Sequence, residues 1–139
     1  MENKIKHLEM IENIIQRMSN NSFQLKGWTV TLITIIGTLS AQGSDKRFFV
    51  LALIPLLAFW ALDAFYLQLE RKYKALYKNV ILMDNNLIDF DMNTKDIEVD
   101  TTEKSSLSYF NCLISISEAG FYGAISVAIL MLIIILDLF

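Results

Sequence analysis

The chain has 139 residues, room for one domain. Of these, 54% are apolar, more than a soluble globular chain usually carries, and 12 basic against 15 acidic residues leave a net charge of −3. With one cysteine and one histidine, the composition excludes an internal disulfide and a zinc site of Cys and His ligands. It also gives no reason to expect direct nucleic-acid binding, and the class it indicates is membrane.

Residues 1–22 intersperse acids, bases and amides with aliphatic side chains, so the uninterrupted apolar run of a secretory signal is missing and the segment is expected to stay on the mature chain. Leu8, Ile11, Ile15, Met18 and Leu25, with Ser22 in the remaining slot, recur at spacings of three and four. This predicts a cytoplasmic amphipathic helix.

A transmembrane helix needs roughly 20 mostly apolar residues. The stretch 23–41 is the first such run, with Lys26 near its start placed to lay its stem along lipid and its ammonium at the headgroups. Gly27, Thr31, Thr34 and Thr38 share one polar, small-residue face with Ala41, and Asn20 and Gln24 extend it. Two readings of that face stand: a helix-packing seam, or the wall of a narrow aqueous path in an oligomer.

After a tight turn at 42–47 comes a second run, 48–67, interrupted only by Pro55 and Asp63. The two runs are expected to form an antiparallel transmembrane hairpin. Residues equidistant from its turn then lie at one depth, and Lys26 and Asp63 are such a pair. An unpaired Asp within a span costs about 3 kcal/mol on insertion scales, so Asp63 reads first as the intramembrane ion-pair partner of Lys26. A proton or cation site is the other reading.

Residues 68–83 carry Arg71, Lys72, Lys74 and Lys78, and their apolar stripe of Leu69, Tyr73, Leu76, Val80 and Met83 is predicted to face the N-terminal one. The alternative lays this basic amphipathic face on anionic headgroups. Counting these bases with Arg17 and Lys26 against Lys46 and Arg47 of the turn puts the N-terminus inside and the turn outside.

The insert 84–106 is acidic. A calcium loop of EF-hand type is disfavoured because it has no glycine for the sharp turn. It reads as a solvated loop with short extended pieces at 87–92 and 96–100, or as a docking surface in which Asp89, Asp91, Asp96, Glu98 and Asp100 meet a soluble cytoplasmic partner.

In 107–139, Tyr109, Cys112, Leu113 and Ile116 follow helical spacing as an interfacial helix, and a third span occupies 119–136. Ala119 with Gly123, and Gly120 with Ala124, place small residues four apart, an arrangement suited to helix packing. Glu118 precedes them, where the dipole of the helix start stabilises a carboxylate. No nucleophile stands beside a base and no glycine-rich phosphate loop is present, so the expectation is a protein that is not an enzyme and needs no cofactor or metal. The predicted fold is an all-α membrane protein: a transmembrane hairpin extended by cytoplasmic helices, plus a third C-terminal transmembrane helix.

The stretches "MIENIIQRMSNNSFQLKGWTVTL", "FWALDAFYLQLERKYKALY" and "IDFDMNT" together resemble a group of small bacterial inner-membrane proteins. In that group a Lys-Gly-Trp span is followed by a Trp-x-Leu-Asp span, an acidic insert and a last span. The group is similar to membrane effectors encoded beside anti-phage systems, such as SLATT-type and type VI-B CRISPR membrane proteins. The resemblance implies homo-oligomers that perturb the bilayer when triggered. A holin-like pore and a membrane anchor for a docked partner are the alternatives.

Overall fold

A computed structural model describes residues 1–42, 47–95, 97 and 99–138, and all regular structure among them is helical. Two long helices come first, α1 (Glu2–Ala41) and α2 (Arg47–Leu82). A single 3-10 turn (Asn85–Leu87), two short helices, α3 (Thr101–Ser106) and α4 (Tyr109–Leu113), and α5 (Ile116–Leu138) complete the chain.

The amphipathic segment 1–22 and the apolar segment 23–41 are one continuous helix, about 60 Å long at 1.5 Å per residue. No proline interrupts it. In α2, Pro55 removes one backbone donor, and the helix runs on past it to Leu82. The two helices are antiparallel: Lys4 reaches Ile81 and Met83, Ile11 packs with Leu76 and Val80, and Lys26 meets Asp63. The Lys4 ammonium donates to the carbonyls of Ile81 and Met83 at 2.7 Å each, supplying partners to carbonyls that the end of α2 leaves open.

Apolar side chains are buried in two places along this hairpin. Toward the end that carries the polar insert, Ile11, Leu76 and Val80 form a small core with Leu8, Ile15 and Tyr73 around it. Ile88, Met92 and Ile97 of the insert cover that core. The insert is therefore docked on the hairpin rather than freely solvated, because Ile88, Met92 and Ile97 find an apolar surface to bury against. The expected extended pieces form no strand among the described residues, and part of the acidic segment coils into α3. Residue 96 and residue 98 lie outside the described residues, as does the turn at 43–46. Phe90 takes a positive φ of 57° with its ring 5.5 Å from that of His7, a strained backbone held by docking of the insert.

At the other end, Ala52 and Leu56 of α2 pack with Tyr122 and Ile129 of α5. The connection through α3 and α4 is held on α2 by polar bonds to backbone: Gln68 to Leu107 O (2.9 Å), Arg71 to Ser106 O (2.9 Å) and Trp60 to Leu113 O (3.0 Å). The hydroxyl of Tyr109 donates to Ala61 O in the same way (2.9 Å).

Among the described residues two helices are long and apolar enough to cross a membrane, Val50–Leu82 and Ile116–Ile135. Only 22% and 17% of their most apolar windows are buried within the chain. The segment 23–41, expected from sequence as a span, does not join them. Lys26 and the threonines at 29, 31, 34 and 38 lower its apolar character, although it is fully helical and lies along α2.

Candidate functional site: a buried charged cluster joining three helices

Where α1, α2 and α5 meet, four polar side chains converge. Lys26 comes from α1 and Asp63 from α2. Glu118 and Tyr122 are four residues apart on α5 and so project from one face of it. The Lys26 ammonium lies 2.5 Å from Asp63 Oδ2 and 2.9 Å from Glu118 Oε1, and its third hydrogen goes to Ser22 Oγ at 3.0 Å. All of its donors are used. Asp63 Oδ2 also accepts the Tyr122 hydroxyl at 2.9 Å.

Burial is nearly complete: Asp63 and Tyr122 are 0% exposed and Glu118 1%. Aromatic rings close the cluster. The Lys26 ammonium stands 5.9 Å from the ring centres of Phe121 and Tyr122, within cation–π range. Trp60 stacks on Tyr122 with ring centres 6.0 Å apart. Two oxygens remain without a hydrogen-bond partner, Asp63 Oδ1 and Glu118 Oε2.

In a low-dielectric setting such a cluster is held together by its shared cation, because removing Lys26 strands both carboxyl groups, at a cost of about 3 kcal/mol or more. The arrangement locks α5 to the α1–α2 hairpin. Beyond the dipole of the α5 first turn, Glu118 thus has a direct cationic partner on another helix. Glu118 and Tyr122 are the residues that sequence reasoning left out of the site. The signal available for them was their i, i+4 spacing at the start of the last span.

Other residues singled out from the sequence lie elsewhere. Gly27, Thr31, Thr34 and Thr38 face outward from the bundle. Their hydroxyls turn back onto their own helix, to Gly27 O, Val30 O and Ile35 O at 2.9, 2.8 and 2.8 Å. On α5, Gly120 and Ala124 are exposed and Ala119 and Gly123 half-buried. A Cβ added at Gly27, Gly120 or Gly123 would meet no heavy atom within 4 Å, so these glycines make no close helix contact within one chain. In the insert, Asp89, Asp91 and Asp100 are exposed. Asp89 and Asp91 fold the backbone into successive Asx turns, accepting from the amides of Asp91 and Asn93 at 3.0 and 2.8 Å. Asp96 and Glu98 are outside the described residues. Among the described residues no three His, Cys, Asp or Glu side chains are grouped to hold a metal ion.

No family model matches the chain, and no curated protein or solved structure matches it either.

Proposed function

We propose that this chain is a three-span protein of the bacterial inner membrane, with its N-terminus and acidic insert in the cytoplasm. In this reading it acts without enzymatic chemistry, as a homo-oligomeric effector that permeabilises the membrane in anti-phage defence. The observation that carries the reading is the outward face of Gly27, Thr31, Thr34 and Thr38, which nothing among the described residues covers. Small side chains let helices approach closely in lipid, and a threonine stripe supplies hydroxyls to a partner helix or to water.

A soluble protein's core helices would be mostly buried, whereas the most apolar windows of α2 and α5 leave most of their surface exposed. That favours lipid as their surroundings. If α2 crosses the bilayer, residues 23–41 share its depth, because α1 runs antiparallel to it with Lys26 on Asp63. This extends two apolar helices to three spans.

A second reading makes the chain a membrane anchor for a soluble partner. It is favoured by the insert, whose Asx turns and docked aliphatics hold Asp89 and Asp91 at the surface in a fixed shape. Reconstitution in liposomes separates the two. The wild-type chain should form oligomers and release an entrapped dye or ion, and Thr34→Leu with Thr38→Leu should reduce release at least several-fold at equal incorporation. Asp89→Lys with Asp91→Lys should leave release unchanged. A chain that stays monomeric and never leaks overturns the effector reading in favour of the anchor.

A further inference from the structure

The groups that meet in the buried cluster come from every helix packed there: Ser22, Lys26 and Thr29 from α1, Asp63 from α2, and Glu118 and Tyr122 from α5. One of them is a cation and two are carboxyl groups. Arg71, the first cation along α2 after Asp63, is engaged with Ser106 O and Cys112 Sγ. With both carboxyls ionised, the cluster would carry one uncompensated negative charge in a place closed to water.

The bonding pattern points the same way. Lys26 has spent its three hydrogens on Ser22, Asp63 and Glu118, and the Tyr122 hydroxyl has spent its own on Asp63. Asp63 Oδ1 and Glu118 Oε2 are buried with nothing donated to them. Two orphaned oxygens and one surplus charge call for one positive unit. A metal ion is a poor occupant, because the Lys26 ammonium already fills the space between the carboxyl groups at 2.5 and 2.9 Å. A proton adds the charge without displacing it.

We infer that Asp63 and Glu118 together hold one exchangeable proton in the resting protein, which makes the cluster a proton-binding site. Release is a simple transfer: the carboxyl O–H bond breaks, H⁺ passes to water and a carboxylate remains. The Lys26 side chain is 19% exposed where Asp63 and Glu118 are closed, so the cluster opens to its surroundings on the side of Lys26. Loss of the proton places surplus negative charge between α5 and the hairpin. Since α5 is packed on α2 and meets α1 through this cluster, proton occupancy biases how firmly α5 is held. The inference rests on burial and bonding and is independent of the effector reading.

The test is infrared spectroscopy of the purified full-length chain in detergent micelles at neutral pH, reading the C=O stretch of a protonated carboxyl group and its shift in heavy water. One such band is expected in the wild type. It should vanish in both Asp63→Asn and Glu118→Gln, where one carboxylate and Lys26 balance, and persist or grow in Lys26→Gln, where the cation is gone. Adding sodium at constant pH should not change it. Helical circular dichroism checks each variant, and if either isosteric variant fails to fold, the other decides alone. No band in the wild type, a band surviving in both isosteric variants, or one bleached by sodium overturns the inference. Dye release plays no part in these readings, so their failure leaves the effector reading standing.

Discussion

Lys26 bonds two carboxyl groups, and this reverses the ranking that a simple pair would give. In a lone Lys–Asp pair, removing the Asp strands the ammonium. Here Asp63→Asn leaves Lys26 with Glu118, a balanced pair, so it and Glu118→Gln should be mild, within about 1 kcal/mol of wild type. Lys26→Met leaves two buried carboxyl groups without a cation and should be the costliest, at about 3 kcal/mol or more. Combining it with Asp63→Asn should recover part of that loss. Thermal melts followed by circular dichroism in detergent give the order, and equal effects for all three would contradict it. Cys112 supplies a second residue-scale prediction. Burial pushes its thiol above the ordinary range, and the nearby Arg71 guanidinium only partly offsets this. A thiol whose folded value is raised favours folding below its unfolded value and loses that contribution as pH climbs through the folded one. Maleimide labelling of the folded chain should therefore be slow at neutral pH, rise only in the alkaline range, and become fast on unfolding. Equal labelling of folded and unfolded chain at neutral pH would refute this. The sequence carried Lys26 and Asp63 because a short turn fixes the depths of both arms of a hairpin. It could not place Glu118 or Tyr122, since the long insert between α2 and α5 imposes no register on the last helix.

The long helices are where the sequence was most readable, and the insert is where it was least. Apolar spacing in Leu8, Ile11 and Ile15 and in Tyr73, Leu76 and Val80 is the spacing that the structure buries. Charge density in the insert suggested solvation, yet the three positions Ile88, Met92 and Ile97 decide its place, since one aliphatic residue every four or five has no helical or strand period to reveal it. The helix α3 is equally hidden, being six polar residues with no apolar face. Hydropathy alone leaves α1 in doubt as a span, because threonine is scored as polar although its hydroxyl bonds its own helix in Thr29, Thr31 and Thr34. Lipid would meet those side chains with their polar atoms already partnered. The topology prediction belongs at this scale: reporter fusions at Asp45 and Thr94 should report opposite sides of the membrane. Two cytoplasmic reports would mean that 48–67 does not cross and, since 23–41 lies along it, that the α1–α2 hairpin is outside the bilayer or at its surface.

At the scale of the whole molecule, the chain has a well-connected inside and two outward faces that its own packing does not use. Charged and aromatic groups join α5 to the hairpin on one side. The small residues Gly27 on α1 and Gly120 and Ala124 on α5 look away from it. Substitution separates what these faces do in one copy from what they do between copies. A Cβ at Gly27 or Gly120 meets nothing within 4 Å, and replacing glycine within a helix raises intrinsic helix stability by up to about 1 kcal/mol. Gly27→Leu and Gly120→Leu should therefore leave the melting of the isolated chain unchanged or slightly higher. If copies pack through these faces, the same leucines hold the helices apart and remove the close contact on which association in lipid depends. Native mass spectrometry from micelles should then show the wild type as an oligomer and the leucine variants shifted toward monomer, with helical content intact. Variants that assemble as the wild type does would place the interface elsewhere on the molecule. Variants that lose their fold would contradict the open space around Gly27 and Gly120. The informative outcome is the split between stability and assembly, because a residue that serves only its own chain moves both together.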